Sequence, residues 1–313
     1  MTRAIGRRLA QSVPLLLIVP TITFLLAALI PGDVARTIVG ANASQAQYEQ
    51  VRRSLGLNQP LYARYWEWLG QAFHGSLGTS LFWQQPVTSL LNSRLPVTLS
   101  LVVGSTAVAA AGGAALGTQA ALRAGALGRL IDAISLVGLA LPNFFLGLLL
   151  IAWFAVTLRL FPATGYVSLI QSPGGWIRSL VLPVVTLAVP GTAVIAKQTR
   201  DAMSGILDQP FIRTLRAAGV PRRSIIGRHA LRNAAIPVVT VTGLIFVGSL
   251  SGTVLVESVF ALPGLGGLAV QATSQHDLPL IQGVAVYFTV IVICVNLVVD
   301  LAYSWLDPRV RVS

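Results

Sequence analysis

The sequence has few charged residues, a single cysteine and a single lysine. Only 10% of its 313 residues are charged, whereas 54% are hydrophobic and the mean hydropathy is +0.75. This composition excludes an ordinary soluble domain. Because Cys294 is the only cysteine, an internal disulfide and a cysteine metal cluster are excluded too. The only lysine, Lys197, is not part of a Gly-x4-Gly-Lys-Ser/Thr phosphate-binding loop, so ATP hydrolysis by this chain is not predicted.

The apolar residues are concentrated in six uncharged stretches. A bilayer core about 30 Å thick requires roughly 20 apolar residues of helix. The stretches that meet this requirement are Leu9–Gly32, Leu95–Leu122, Ala133–Leu158, Ser179–Ala196, Asn233–Val256 and Leu278–Val299. The sequence therefore predicts an all-α membrane protein with six transmembrane helices.

Basic residues are distributed unevenly between the segments that join these spans. If the N-terminus is cytoplasmic, the inner segments hold 15 of the 22 Lys and Arg residues. The positive-inside rule then places both termini in the cytoplasm, and the net charge of +12 reflects topology rather than a nucleic-acid partner. Residues 1–31 could also be a signal peptide, but their long apolar core and the absence of a small-x-small cleavage pattern favour an uncleaved first helix.

A long segment, about 33–94, follows the first span and is predicted to be extracytoplasmic. Helical spacing of apolar residues predicts two short amphipathic helices in it, Gln45–Leu55 and Tyr62–Phe73. These helices carry the aromatic residues Tyr48, Tyr62, Tyr65 and Trp66. Such aromatics either anchor a protein at the membrane interface or form a docking surface for an external protein, and both interpretations are open.

Two polar residues near the spans are candidates for the translocation pathway. Pro142 predicts a kink in the third span, and Asn143 either lines a polar pathway or satisfies the backbone there. Glu257 either contacts substrate at the outer mouth or holds the loop that follows it. The pair Gly113 and Gly117 would allow close contact between helices.

The inner loop Lys197–Arg232 has the signals of two cytoplasmic helices. One helix is predicted to end at Gly219, and after Pro221 another is predicted to begin at Ser224. Small residues, Ala217 and Ala218, would let the first helix lie in a groove of a partner protein. Alternatively, the surrounding arginines are only topology signals near lipid headgroups.

Motifs along nearly the whole chain resemble one transporter family. They are Leu29–Asp33, Leu55–Leu61, Gly75–Ser80, Arg94–Leu99, Leu141–Gly147, Leu160–Gly165, Glu257–Gly266 and Asp300–Arg309. With these motifs and its inner loop, the sequence is similar to the inner-membrane permease subunits of the dipeptide, oligopeptide and nickel ABC importers, of the dipeptide permease B type.

The resemblance implies a type I ABC importer permease fold divided into 1–32, 33–94 and a core domain 95–313 with a cytoplasmic coupling loop 197–235. In the family this loop holds the coupling helix, which sits in a cleft of the ATPase subunit. The matching residues here are Arg213, Thr214, Leu215, Arg216, Ala217, Ala218, Gly219, Pro221, His229 and Asn233. The broader importer pattern begins with a Glu and two alanines where this chain has Arg213-Thr214-Leu215, so no acidic contact to the ATPase is assigned.

The resemblance also implies the partners and the location. They are a second homologous permease subunit, two ATPase domains that use ATP and Mg, an extracytoplasmic substrate-binding protein, and the plasma membrane of a bacterium or archaeon. The chain itself is expected to bind no cofactor or metal. Peptides are the expected substrate class, while nickel chelates, glutathione, opines and haem are open.

Two other functional classes are disfavoured by the residues themselves. An ion-coupled carrier or channel usually has ionisable residues deep in the bilayer, but the six predicted spans contain none. An intramembrane enzyme would need a Ser with a base, a His-Glu zinc pattern or paired carboxylates, and the spans show no such pattern.

Overall fold

The computed structural model describes residues 2–29, 33–40, 42–122 and 141–306. Its contacts divide the chain into two compact units. The amino-terminal unit comprises Thr2–Thr98 and Pro263–Ile293, and the central unit comprises Leu99–Leu262 together with the chain from Cys294 onward. Throughout the described part of the chain the regular structure is helical, apart from one isolated bridge between Thr79 and Pro86.

Twelve α-helices lie in the described ranges. They are α1 (Thr2–Leu29), α2 (Val34–Val39), α3 (Gln45–Ser54), α4 (Leu61–Phe73), α5 (Val87–Leu122), α6 (Asn143–Leu150), α7 (Pro173–Leu207), α8 (Pro210–Ala217), α9 (Arg222–Ser224), α10 (Leu231–Val259), α11 (Leu265–Ser274) and α12 (Leu278–Leu306). Two π-helical segments continue α6 and join α9 to α10, at Ile151–Thr157 and Ile225–Ala230.

Five helices of the described residues are long and apolar enough to cross a membrane. They are the Ala10–Leu29 part of α1, α5, α7, the continuous rod Arg222–Val259, and α12. Residues 133–140, where the third predicted span begins, lie outside the described residues. The described part of that span is a shorter apolar helix, Asn143–Thr157. The count of six spans therefore stays a prediction.

The helices extend further than the apolar stretches do. α7 continues beyond Ala196 through Lys197 and Arg200 to Leu207, and the helical rod begins at Arg222 rather than at Ser224 or Asn233. Most of the predicted coupling loop 197–235 is thus helix. The second predicted helix is present, but it continues into the following span without a break. Charged residues end an apolar stretch without ending a helix, because Lys and Arg are good helix formers.

The chain is also interrupted more strongly than expected at Pro142. This residue has ψ 136°, which is extended backbone, and it directly precedes α6. The residues at 141–142 are thus non-helical, rather than a kink within one continuous helix.

In the central unit, α7 is the most enclosed helix. Its apolar window has 61% of its residues buried, compared with 17–33% for the other candidate spans. Small residues allow the close packing around it. A Cβ added to Gly117 of α5 would lie 2.3 Å from the carbonyl oxygen of Ala196, and one added to Gly191 would lie 2.8 Å from Ile245 Cγ2 of α10. These contacts confirm that the Gly113 and Gly117 region permits close helix contact.

In the amino-terminal unit, both predicted amphipathic helices are present as α3 and α4. Ser44 and Gln47 form a capping box that starts α3. α4 packs on α1, where the ring of Tyr65 lies 5.2 Å from that of Phe24 and its hydroxyl shares a 2.5 Å hydrogen bond with Thr21. The described part of the segment after α1 is therefore folded and attached to the first span.

Candidate functional site

The main candidate site is the helix α8 in the central unit. Pro210 occupies its first turn, where a missing N–H costs nothing. Ile212 is fully buried, whereas Arg213, Thr214, Arg216 and the residues that end the helix are exposed. α8 is therefore held by one apolar side chain and presents a basic face with small residues that nothing in the described chain covers.

The end of α8 is a Schellman motif centred on Gly219. The amide of Gly219 donates to the carbonyl of Arg216 at 3.1 Å, and that of Val220 donates to Leu215 at 3.1 Å. Gly219 has φ +75°, a left-handed conformation that L-residues rarely adopt. The predicted helix end at Gly219 is confirmed. Glycine is favoured there by the left-handed backbone conformation and not by crowding, because a Cβ would meet nothing within 4 Å.

Pro221, His229 and Asn233 lie on the rod that follows α8. Pro221 is the N-cap of α9, and its carbonyl accepts from the amides of Ser224 and Ile225 at 2.9 and 3.1 Å. Asn233 is exposed, and its Nδ2 donates to the backbone carbonyl of His229 at 2.7 Å. The Asn233 side chain thus makes a local contact with the backbone of His229. No group of three metal-ligating residues exists among the described residues.

The helices that precede and follow α8 in the sequence pack against each other. Met203 of α7, Ala230 and Ala234 are all fully buried and form one cluster. Only two residues, Asp208 and Gln209, separate α7 from α8, and four residues separate α8 from α9. α8 is therefore tethered closely to two helices that are themselves in contact.

The two candidate pathway residues have different environments in the central unit. Asn143 is the first residue of α6 and is half-buried, and its Nδ2 lies 3.1 Å from where a Cβ on Gly252 of α10 would be. Glu257 is only 1% exposed, and its carbonyl accepts from the amide of Leu262 at 2.8 Å to close the turn after α10. This bond involves only the main chain, so the loop-holding role of the Glu257 side chain and the pathway roles of both residues stay predictions.

The four aromatic residues predicted to dock an external protein do not share one environment. Tyr62 and Trp66 are 72% and 66% exposed on α4. Tyr65 instead contacts α1, and Tyr48 donates from Oη to Asp33 Oδ2 at 2.5 Å. Of these four residues, only Tyr62 and Trp66 therefore have exposed aromatic side chains.

Asp33 links α2 to α3 electrostatically. Burial raises the pKa of its carboxyl, but the hydrogen bonds from Tyr48 and from the amides of Arg36 and Ala35 outweigh this effect, so the net pKa is lowered. The same Tyr48–Asp33 hydrogen bond raises the pKa of the Tyr48 hydroxyl. Arg36 lies over the Tyr48 ring at 4.5 Å.

Asp277 is a structural residue that the sequence reasoning missed. It is fully buried at the start of α12, where it accepts from Ser80 Oγ at 2.5 Å and from the amides of Phe82 and Leu280 at 3.2 and 3.3 Å. An Asp directly before an apolar run is a helix N-cap signal, which could have identified it. Its contact with residue 80 is too distant in sequence to predict.

The fold and the candidate site together define an all-helical, multi-pass membrane protein in which a short exposed helix joins two long helices.

Comparison with known proteins places this class in one family. Residues 113–312 match the model of the binding-protein-dependent transport system inner membrane component, and residues 1–102 match the model of the N-terminal region of such membrane components. The chain belongs to this family. Its fold is that of type I ABC permeases, a class of transport subunits rather than enzymes, and its location is the inner membrane.

Several relatives match over nearly their full length. A peptide transport system permease protein of Brucella abortus (strain 2308) is 42% identical, with 99% of each chain covered. The glutathione transport system permease protein GsiC of Escherichia coli O6:H1 is 39% identical over 99% of each chain. The oligopeptide transport system permease protein AppB of Bacillus subtilis is 37% identical, with 99% of this chain and 100% of AppB covered.

Proposed function

We propose that this chain is the peptide-translocating permease subunit of a binding-protein-dependent ABC importer, and that α8 is the helix that couples it to an ATPase. The observation that carries the proposal is the exposure of α8. Arg213, Arg216 and Ala217 are exposed on a helix whose Ile212 is fully buried. A short helix with small residues can enter a groove of a partner, while its buried residue fixes it to the permease.

The short connections of α8 supply the coupling mechanism. Two residues join α8 to α7 and four join it to the rod. Because these connections are short, a displacement of α8 also moves the two helices. The buried Met203 cluster makes the two helices move together at this end. ATP-driven closure of the partner ATPases would bias the spans towards an outward-open state, provided that ATP binds the two states with different affinities.

The complex that this mechanism requires contains a second homologous permease subunit, two ATPase domains and an extracytoplasmic binding protein. ATP and Mg²⁺ are bound and used by the ATPase domains, which supply the energy that this chain cannot obtain without a phosphate-binding loop. The distribution of basic residues supports cytoplasmic termini, a cytoplasmic α8 and an extracytoplasmic segment 33–94.

Peptides are the proposed substrate class. The relatives that match this chain end to end are named for peptide, oligopeptide and glutathione transport, and glutathione is itself a small peptide. Selection among peptides is assigned to the external binding protein.

The coupling assignment is tested at Gly219. Gly219→Val places a β-branched residue at φ +75°, at a strain of more than about 1–2 kcal/mol, and we expect the end of α8 to distort. Peptide uptake and stimulated ATPase activity in proteoliposomes should fall at least about tenfold, the change that 1.4 kcal/mol produces. Gly219→Asn is the matched control, because Asn tolerates this conformation and should retain most of the activity. Wild-type uptake by Gly219→Val would remove the coupling assignment.

A second variant separates docking from topology. Ala218→Trp adds bulk at an exposed position and should leave the chain inserted, yet it should prevent co-purification of the ATPase subunits. Ala218→Ser adds one atom and should bind them normally. If both variants retain the ATPase subunits equally, the basic residues of α8 serve only topology.

A further inference from the structure

A cavity in the amino-terminal unit is lined by an arginine and by two buried side chains whose nitrogens have no hydrogen-bond partner among the described residues. Its volume is about 320 Å³, and it lies among α1, the connection from α3 to α4, α4 and the first turn of α12. The lining residues that matter for its chemistry are Phe24, Arg64, Glu67, Trp68 and Gln282. None of them belongs to α8 or to the candidate pathway pair.

Two buried nitrogens in this lining have no hydrogen-bond partner among the described residues. They are Nε1 of Trp68 and Nε2 of Gln282, and their side chains are 7% and 2% exposed. The indole nitrogen is a donor only, and the amide nitrogen supplies two donors. Because a buried donor without an acceptor is costly and therefore rare, both nitrogens require an acceptor, which either water or a ligand in the cavity would supply.

Arg64 adds a positive charge to the same lining. It is half-buried, and burial lowers the pKa of its guanidinium. Within the described chain no carboxylate lies within the 4.0 Å ion-pair distance of Arg64, although Glu67 also lines the cavity from an exposed position. Arg64 also lines a neighbouring cavity of about 260 Å³ with Asp33 and Tyr48, and Asp33 is already engaged there by Tyr48. The Arg64 guanidinium carries five N–H donors in a planar fork that suits an oxyanion.

We propose that this cavity binds an oxyanion group, a phosphate or a carboxylate, with Arg64 supplying the charge and Trp68 and Gln282 supplying neutral hydrogen bonds. Charge-assisted hydrogen bonds of this kind are the strong ones, and the guanidinium geometry suits both anions. The wall formed by Phe24 of the apolar helix α1 would accommodate the start of an acyl chain beside a lipid phosphate. A soluble carboxylate or phosphate offers the same acceptors from the aqueous side.

The test uses the assembled transporter and distinguishes the two sources. In the lipid arm, the complex in phosphatidylglycerol nanodiscs is released for native mass spectrometry, and the retained phosphatidylglycerol is counted. In the soluble arm, inorganic phosphate and acetate are titrated by calorimetry into the complex in dodecyl maltoside, free of phospholipid. In whichever arm an anion binds, Arg64→Gln should lower its affinity about tenfold or more, the loss expected for a charged hydrogen bond.

Two further variants keep the test decisive. Trp68→Phe removes the indole donor and also makes the aromatic side chain smaller, so it should weaken anion binding in the same arm by a smaller factor. This variant keeps the test available if Arg64→Gln fails to assemble. Arg53→Gln removes an equal charge from an exposed site paired with Glu49 at 3.7 Å, and it should change neither arm. Binding in neither arm, or an equal loss with Arg53→Gln, would overturn the proposal and leave the cavity to water.

Discussion

Asp33 is the residue whose ionisation should be visible in the stability of the segment after α1. As the N-cap of α2, its Oδ1 accepts from the amides of Ala35 and Arg36 at 2.9 and 3.3 Å. Because its folded pKa is lowered, the stabilisation that it supplies is present above the unfolded pKa of about 3.9 and is lost as the pH falls through the folded value.

Tyr48→Phe removes one of the hydrogen bonds that hold this pKa down. We therefore expect the acid-induced loss of protection at the Ala35 and Arg36 amides to begin at a higher pH than in the wild type. Hydrogen exchange of the α2 peptide between pH 3 and 6, compared with the wild type at each pH, measures this shift. The control is Tyr62→Phe, whose hydroxyl belongs to an exposed side chain. Identical profiles for Tyr48→Phe and the wild type would contradict the account.

Ala261 ends α10 in a conformation that favours glycine. It has φ +51° and occupies the position in its Schellman turn that Gly219 occupies after α8. Ala261→Gly should raise the free energy of unfolding by about 0.5–1 kcal/mol, because relief of the left-handed strain exceeds the entropy gained by the unfolded chain.

Thermal unfolding in detergent measures the effect of Ala261→Gly. The same chemical change at Ala269, inside α11, should lower stability by about 1 kcal/mol, since glycine is a poor helix former. Destabilisation by both variants would argue against strain at Ala261.

At the scale of elements, the contact between α5 and α7 depends on the missing side chain of Gly117. Gly117→Ala would place a Cβ 2.3 Å from the backbone oxygen of Ala196 and 2.6 Å from Thr199 Cβ, so the two helices must separate. We expect a loss of about 1–3 kcal/mol in unfolding free energy. Gly205→Ala, in an open part of α7, should instead gain up to about 1 kcal/mol from helix propensity. Equal thermal shifts for the two variants would show that the close approach is unimportant.

The helix ends at Gly219 and Pro221 could be predicted from the sequence, whereas the lengths of the helices could not. Gly219 and Pro221 end one helix and begin the next as local chemistry requires. The extension of α7 through Lys197 and Arg200 was missed, because hydropathy marks where lipid should end rather than where backbone hydrogen bonding ends.

Side-chain environments were predictable only where they depend on local sequence. Tyr48 and Tyr65 have the same aromatic character as Tyr62, but distant partners, Asp33 and Phe24, determine that they face inward. The burial of Asp277 beside Ser80 depends on a contact between residues 197 positions apart. No periodicity in either segment encodes such a contact.

At the scale of the whole molecule, the five candidate spans and the family membership define a multi-pass permease, and the orientation that we propose for it rests on the distribution of charge. The basic residues on and around α8 cluster in the segments that the positive-inside rule assigns to the cytoplasm. The aromatic and uncharged polar residues of α3 and α4 belong to the opposite side. A single pair of accessible positions is therefore enough to test the arrangement.

The orientation is tested with single cysteines in a Cys294→Ser background, since Cys294 is exposed on α12 and is the only natural cysteine. Gln50→Cys, on the exposed face of α3, should react with a membrane-impermeant maleimide in intact cells. Asp208→Cys, between α7 and α8, should react only after the membrane is permeabilised, because it lies beside the proposed ATPase contact. Added ATPase subunits should then slow its labelling while leaving Gln50→Cys unchanged. The reverse accessibility would invert the topology and place α8 where no ATPase can reach it.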